Sequence, residues 1–72
     1  MTNVNKLRGK IVENGMTVAS LAEKIGMDRA TLYRKLNDNL ETMIIKDANA
    51  VVSVLGLTPE EAMAIFFGNV VA

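Results

Sequence analysis

The stretch TVASLAEKIGMDRATLYRKL, residues 17–36, predicts two short helices joined by a tight turn, and this pair decides the fold. Thr17 can cap the first helix, which ends at Gly26. Glycine suits that end because it adopts the left-handed conformation without steric cost, so the chain can leave one helix and begin another at once. The apolar residues of the first helix recur at helical spacing: Val18, Leu21, Ala22 and Ile25.

The second helix of the pair opens at Asp28 and separates apolar from polar residues. The Asp28 carboxylate can accept hydrogen bonds from free N–H groups of the first turn, and its charge suits the positive end of the helix dipole. Leu32 and Leu36, four residues apart, anchor one side. The exposed side carries two cations beside a methyl group and an aromatic ring, which suits nucleic acid: Arg29, Ala30, Tyr33 and Arg34.

Helical periodicity predicts another helix before this pair and one after it. The earlier helix spans about residues 4–14, with Lys6 and Lys10 facing water. The later helix spans about residues 44–55, and Thr42 is a candidate cap for it. The β-branched run AVVSV within the later helix leaves a strand as the alternative. The buried stripe of the earlier helix is Val4, Leu7 and Ile11.

The clearest local signal is LTPEE, residues 57–61, which predicts the start of a fifth helix. Thr58 is its N-cap, Pro59 fills the first helical position and Glu61 the capping-box position. Glu60 and Glu61 are therefore interpreted as capping residues, with contacts to a partner as the alternative.

The composition argues against several classes of protein. None of the 72 residues is cysteine or histidine, which leaves no thiol nucleophile, no usual zinc site and no usual acid/base catalyst. We therefore expect no enzyme, no metal, no cofactor and no small-molecule substrate. No apolar run approaches the roughly 20 residues that span a bilayer, and the N-terminus lacks the hydrophobic region of a signal peptide, so a cytoplasmic protein is expected.

The charged residues are distributed unevenly, although the net charge is zero. Residues 1–37 contain seven cations and three anions, a balance of +4, whereas residues 38–72 contain one cation and five anions, a balance of −4. A chance asymmetry is the simplest alternative. The positive half contains the helix pair, so the charge dipole would orient the protein on approach to a polyanion.

These residues resemble the helix-turn-helix of phage repressor and Cro-type transcription regulators. In that family a small residue lies midway along the first helix and glycine follows four positions later, the positions of Ala22 and Gly26. Leu32 fills the aliphatic position beneath the recognition helix. Lys35 departs from the pattern, which usually has an aliphatic residue there, so we expect Leu36 to take over that packing. The string LGLTPEEAMAIFF, residues 55–67, extends the resemblance to about the whole chain.

The resemblance implies an all-α, five-helix lambda-repressor-like DNA-binding domain that comprises residues 1–72, with the helix-turn-helix at helices 2 and 3. The implied function is sequence-specific binding of double-stranded DNA by a repressor-like transcription regulator of phage or prophage type, with residues 28–36 in the major groove. Base contacts are expected from Arg29, Ala30, Tyr33 and Arg34, although the Tyr33 ring could instead cover the core edge. Candidate contacts to the DNA backbone are Thr17, Thr31, Lys35, Asn37 and Asn39.

The apolar end AIFFGNVVA, residues 64–72, predicts a homodimer contact formed by Phe66, Phe67, Val70 and Val71. A tail that folds back over its own core is the alternative. A second function also stays open, a protein-interaction module on the same scaffold such as an antirepressor or an antitoxin. The cations Arg29, Arg34 and Lys35 favour DNA binding over this second function.

Overall fold

The computed structural model describes residues 3–67, and this part of the chain contains five α-helices and no strand. The all-α fold expected from the sequence is thus confirmed. The strand alternative for AVVSV is wrong, because these residues lie inside the fourth helix. None of the helices in the described range is long and apolar enough to cross a membrane. The helices are α1 (Val4–Glu13), α2 (Val18–Ile25), α3 (Arg29–Asn37), α4 (Ile45–Leu55) and α5 (Pro59–Phe66).

The core is aliphatic and draws residues from all five helices. Helix α2 packs against both α3 and α4, and α1 packs against α5. Within residues 3–67 no polar side chain is buried, so burial of apolar surface is the main source of stability. The buried residues are Leu7, Ile11, Leu21, Ala22, Leu32, Leu36, Leu40, Val51, Leu55, Leu57 and Ile65.

The core confirms two details of the sequence interpretation. Leu7 and Ile11 are buried and Val4 packs against the core, so the predicted stripe of α1 is present. Leu36 is 2% exposed, whereas its neighbour Lys35 is half-buried, so Leu36 does supply the packing that the family pattern assigns one position earlier.

Four helices end in the same way, with a left-handed residue just beyond the helix and a hydrogen bond back to its last turn. At the end of α2, the Met27 N–H donates to the Ala22 carbonyl oxygen at 2.9 Å and the Gly26 N–H donates to that of Glu23 at 3.2 Å, which is a Schellman motif. The tight turn predicted at Gly26 is therefore present, with φ of 74°. The left-handed residues at these four helix ends are Gly15, Gly26, Asn39 and Gly56.

The start of α4 differs from the sequence prediction. Its N-cap is Ile44, which supplies no side-chain hydrogen bond, and the helix begins at Ile45. The expectation that Thr42 caps α4 is wrong, because the Thr42 hydroxyl donates to the Asp38 carboxylate at 3.0 Å instead. The other four helices each have a side-chain cap, from Asn3, Thr17, Asp28 and Thr58.

Helices α1 and α5 are joined by polar contacts as well as by the core. Lys6 is exposed, as expected, but the expectation that Lys10 faces water is wrong, because its side chain is only 18% exposed. The Lys10 ammonium group forms an ion pair with Glu61 and another with Glu13 at 3.2 Å. At the opposite end of α5, the Asn3 N–H donates to the Ile65 carbonyl oxygen at 2.7 Å.

Candidate nucleic-acid interface

One face of α3 carries the four residues that the sequence predicts to contact bases. At about 100° per residue, these positions lie within about 140° of the helix circumference, and Leu32 and Leu36 lie outside that range. The leucines are buried, with exposures of 0% and 2%, so the side of α3 that carries the four residues faces away from the core. All four are exposed, Tyr33 at 44%: Arg29, Ala30, Tyr33 and Arg34.

The N-terminus of α3 is fixed by Asp28. One oxygen of its carboxylate accepts hydrogen bonds from the backbone N–H groups of Ala30 at 3.0 Å and Thr31 at 3.3 Å. The Asp28 cap predicted from the sequence is therefore present. Because Asp28 already uses these N–H groups, they are not free to bind a phosphate, and the exposed face of α3 must act through its side chains.

The start of α2 lies beside the start of α3. Thr17 and Ser20 form a reciprocal capping box, with the Ser20 N–H donating to Thr17 Oγ1 at 3.1 Å and the Thr17 N–H donating to Ser20 Oγ at 2.9 Å. An open groove of about 550 Å³ separates the two helix starts. Its lining includes Thr17, Arg29 and two carboxylates, those of Glu23 and Asp28.

The candidate backbone-contact residues are placed in different surroundings. Thr17, Asn37 and Asn39 are exposed, and Thr31 is half-buried. Lys35 is half-buried, and its ammonium group donates to the Thr42 carbonyl oxygen at 2.7 Å. The structure therefore does not bring the Lys35 ammonium group together with the two arginines of α3.

The sequence interpretation missed the roles of Asp38 and Thr42. The Asp38 carboxylate accepts hydrogen bonds from the Thr42 hydroxyl and, at 3.2 Å, from the Glu41 N–H. One available signal was the position of Lys35 in the last turn of α3, since cations there can hydrogen-bond carbonyl groups at the end of a helix.

Two of the candidate dimer residues, Phe66 and Phe67, border an apolar groove of about 320 Å³ between α4 and α5. Phe66 packs against the core and Phe67 is 47% exposed. Val70 and Val71 lie outside the described residues. Ile45, which the sequence interpretation did not consider, also lines the groove and is 75% exposed.

No group of three or more acidic or metal-binding side chains lies close enough to hold a metal ion in the range 3–67.

Comparison with known proteins identifies the family. The model of the Cro/C1-type HTH DNA-binding domain matches residues 6–67, so the chain belongs to this family and its function is DNA binding. The match covers the helix pair and the two helices that follow it, which confirms the resemblance noted in the sequence. This is a regulatory rather than an enzymatic fold. No curated protein and no solved structure matches the chain.

Proposed function

We propose that this protein is a sequence-specific transcription regulator of the Cro/repressor kind found in phages and prophages, and that residues 1–72 act as one DNA-binding domain. Helix α3 enters the major groove, which is wide enough to admit an α-helix. The observation that carries the proposal is the exposed face of α3, where Arg29 and Arg34 flank Ala30 and Tyr33 while Leu32 and Leu36 fix the helix from behind.

The side chains on this face match the chemistry of base edges. An arginine can donate two hydrogen bonds to O6 and N7 of guanine, and a methyl group can contact the methyl group of thymine. Arg29 and Arg34 therefore read guanine, Ala30 contacts a neighbouring base, and the exposed part of Tyr33 contacts a thymine methyl group or a phosphate. The fixed start of α3 holds these side chains in one register.

Some of the phosphate contacts come from neutral groups around the two helices. The Thr17 hydroxyl accepts a hydrogen bond from Ser20, which leaves its own proton free to donate to a phosphate. Its place at the N-terminus of α2 adds the positive end of a helix dipole. The proposed contacts of this kind are Thr17, Thr31, Asn37 and Asn39.

The proposed regulator binds its operator as a homodimer. Two protomers pair through their apolar ends, namely Phe66, Phe67, Val70 and Val71. A two-fold axis then presents two copies of α3 to half-sites about 34 Å apart, one turn of DNA. The half-exposed Phe67 beside an apolar groove supports this arrangement, because soluble monomers seldom expose contiguous apolar surface.

Selection of binding sites from random duplexes tests the proposal. The protein is mixed with random double-stranded DNA, bound duplexes are recovered by gel shift, and DNA flanking the coding region is assayed beside them. We expect one enriched motif with two-fold symmetry. Arg34→Gln should alter the motif, whereas Lys46→Gln, which removes an equal charge from α4, should not. Failure of the wild-type protein to enrich any motif would reject sequence-specific binding.

A further inference from the structure

Residues 38–43, within the connection between α3 and α4, have a fixed shape. After α3, the Leu40 N–H donates to the Lys35 carbonyl oxygen at 2.8 Å and the Met43 N–H donates to that of Leu40 at 3.1 Å. Leu40 is 4% exposed and belongs to the core. The connection is therefore anchored at its centre by apolar burial.

This shape requires an unfavourable backbone conformation. Asn39 and Leu40 have φ angles of 62° and 63°, in the left-handed region. Asparagine tolerates that region, but leucine does so at a cost in free energy because its Cβ crowds the backbone. Two consecutive left-handed residues other than glycine persist only where the surroundings hold them.

Three side chains hold the connection by polar contacts. The Lys35 ammonium group donates to the Thr42 carbonyl oxygen at 2.7 Å and lies 3.4 Å from the Thr42 hydroxyl oxygen. The Thr42 hydroxyl donates to Asp38 at 3.0 Å, and the Glu41 N–H donates to the other Asp38 oxygen at 3.2 Å. Thr42 thus links the cation at the end of α3 to the anion that follows the helix.

Lys35 also lies on the wrong side of α3 for the candidate recognition face. At about 100° per residue, it is about 170° around the helix from the centre of the face formed by Arg29, Ala30, Tyr33 and Arg34. Its ammonium group reaches Thr42 in the connection, and Asn37 and Asn39, at the end of α3 and just beyond it, are exposed.

We infer that Lys35 supports DNA binding as a positioning residue that clamps residues 38–43 through Thr42, and that it does not neutralise a phosphate. The clamp holds Asn37 and Asn39 in the orientation in which they meet the DNA backbone. It also keeps the Asp38 carboxylate hydrogen-bonded to the Thr42 hydroxyl and to the Glu41 N–H. This inference rests on the proposed function of α3.

The salt dependence of binding separates a clamp from a phosphate contact. Each neutralised phosphate contributes about −0.9 to the slope of log K against log salt. Lys35→Gln should therefore weaken binding of the selected duplex about two- to tenfold, the range for one lost hydrogen bond, and leave the slope unchanged. Thr42→Val removes no charge and keeps the backbone carbonyl that accepts from Lys35, but it breaks the hydrogen bond from the Thr42 hydroxyl to Asp38. It should therefore also weaken binding and leave the slope unchanged.

Two controls complete the experiment. Lys46→Gln removes a cation from α4 and should leave affinity unchanged. Hydrogen exchange of the free protein gives a measurement without DNA: the Met43 amide should exchange faster in Lys35→Gln and Thr42→Val, while amides within α2 stay protected. This local readout distinguishes a loosened connection from a chain that has lost its fold.

The possible failures are distinguishable. The inference is overturned if the magnitude of the slope falls by about 0.9 for each Lys35 removed while Thr42→Val binds like the wild-type protein. Lys35 would then be a phosphate contact. Unchanged exchange at Met43 in both variants would also overturn it. If the wild-type protein selects no duplex, the proposed function itself fails, and the positioning role fails with it.

Discussion

The Lys10 ammonium group on α1 forms an ion pair with the Glu61 carboxylate in the first turn of α5. Glu61 also accepts a hydrogen bond from the Thr58 N–H at 2.9 Å, which completes the capping box of α5. The hydrogen bond from Lys10, and after it that from Thr58, lowers the pKa of Glu61 from its ordinary 4.5 to about 2. The hydrogen bonds to Glu61 and Glu13 raise the pKa of Lys10.

The pair predicts an acid-sensitive contribution to stability. Because the pKa of Glu61 is lower in the folded protein than in the unfolded chain, its contribution is complete above about pH 4.5 and is lost as the pH falls to about 2. Glu61→Gln should flatten the dependence of the unfolding free energy on pH across this window. Urea titrations between pH 2 and 7 measure it.

Glu60→Gln is the matched control for this titration, because Glu60 is the exposed neighbour of Glu61 in the same turn. It should retain the wild-type pH dependence. If Glu61→Gln and the wild-type protein lose stability in parallel between pH 4.5 and 2, the ion pair has no thermodynamic role.

Two glycines predict opposite effects of the same substitution. A Cβ added at Gly26 or at Gly9 would meet no atom within 4 Å, so space is available at both positions. Gly26 has φ of 74°, so alanine there should lower the unfolding free energy by about 1–2 kcal/mol. Gly9 lies inside α1, where alanine should raise it by about 0.5–1 kcal/mol. Denaturant unfolding measures both, and effects of the same sign would contradict the argument.

The proposed base contacts predict a local change of specificity. Arg34→Ala should relax base preference at one operator position, since a bidentate arginine–guanine pair discriminates by about 1–3 kcal/mol. Arg29→Ala should act at a different position. Binding measured against a panel of single-base operator variants tests this, and an equal loss for every sequence would exclude base readout by these arginines.

The number of charged contacts predicts a moderate salt dependence. If each protomer makes about three or four such contacts, the slope of log K against log salt for a dimer should be on the order of −5 to −7. Affinity measured at several salt concentrations tests the value. A slope near zero would contradict DNA binding through cations.

The dimer proposal predicts a monomeric variant. Deletion of residues 68–72 combined with Phe67→Ser should give a folded monomer with greatly reduced operator affinity, because both half-sites must be bound together. Sedimentation equilibrium measures the mass. Val12→Ser is the control, since Val12 is an apolar residue of α1 that is 74% exposed. An unchanged dimer would refute the contact, and an unfolded chain would favour the tail folding over its own core.

Local signals in the sequence were sufficient to predict most of the fold. Gly26, Asp28 and Thr58 act within a few residues of their own positions, so their capping and turning roles are visible without tertiary information. The helical spacing of Leu32 and Leu36 predicts which side of α3 is buried, and it therefore also predicts the exposed face. Which of its residues touch DNA stays a prediction, because the contacts depend on a partner.

Contacts between distant segments were not predictable in the same way. Lys10 occupies a polar position of α1 that would face water on an isolated helix, and only the packing of α1 against α5 brings Glu61 to it. Thr42 has the chemistry of an N-cap, but the left-handed turn at Leu40 directs its hydroxyl to Asp38. Both contacts depend on the three-dimensional path of the chain, which local residue patterns do not reveal.

The contact between α1 and α5 also has a kinetic consequence. It joins the first and last helices of the described chain, whereas α2 and α3 are separated by three residues and can pack together after closing a very short loop. Contacts between neighbours in sequence tend to form early in folding. We expect the Lys10–Glu61 pair to form after the rate-limiting step, so that its removal speeds unfolding and leaves the folding rate nearly unchanged. The pair then lengthens the time for which the molecule stays folded before it next unfolds.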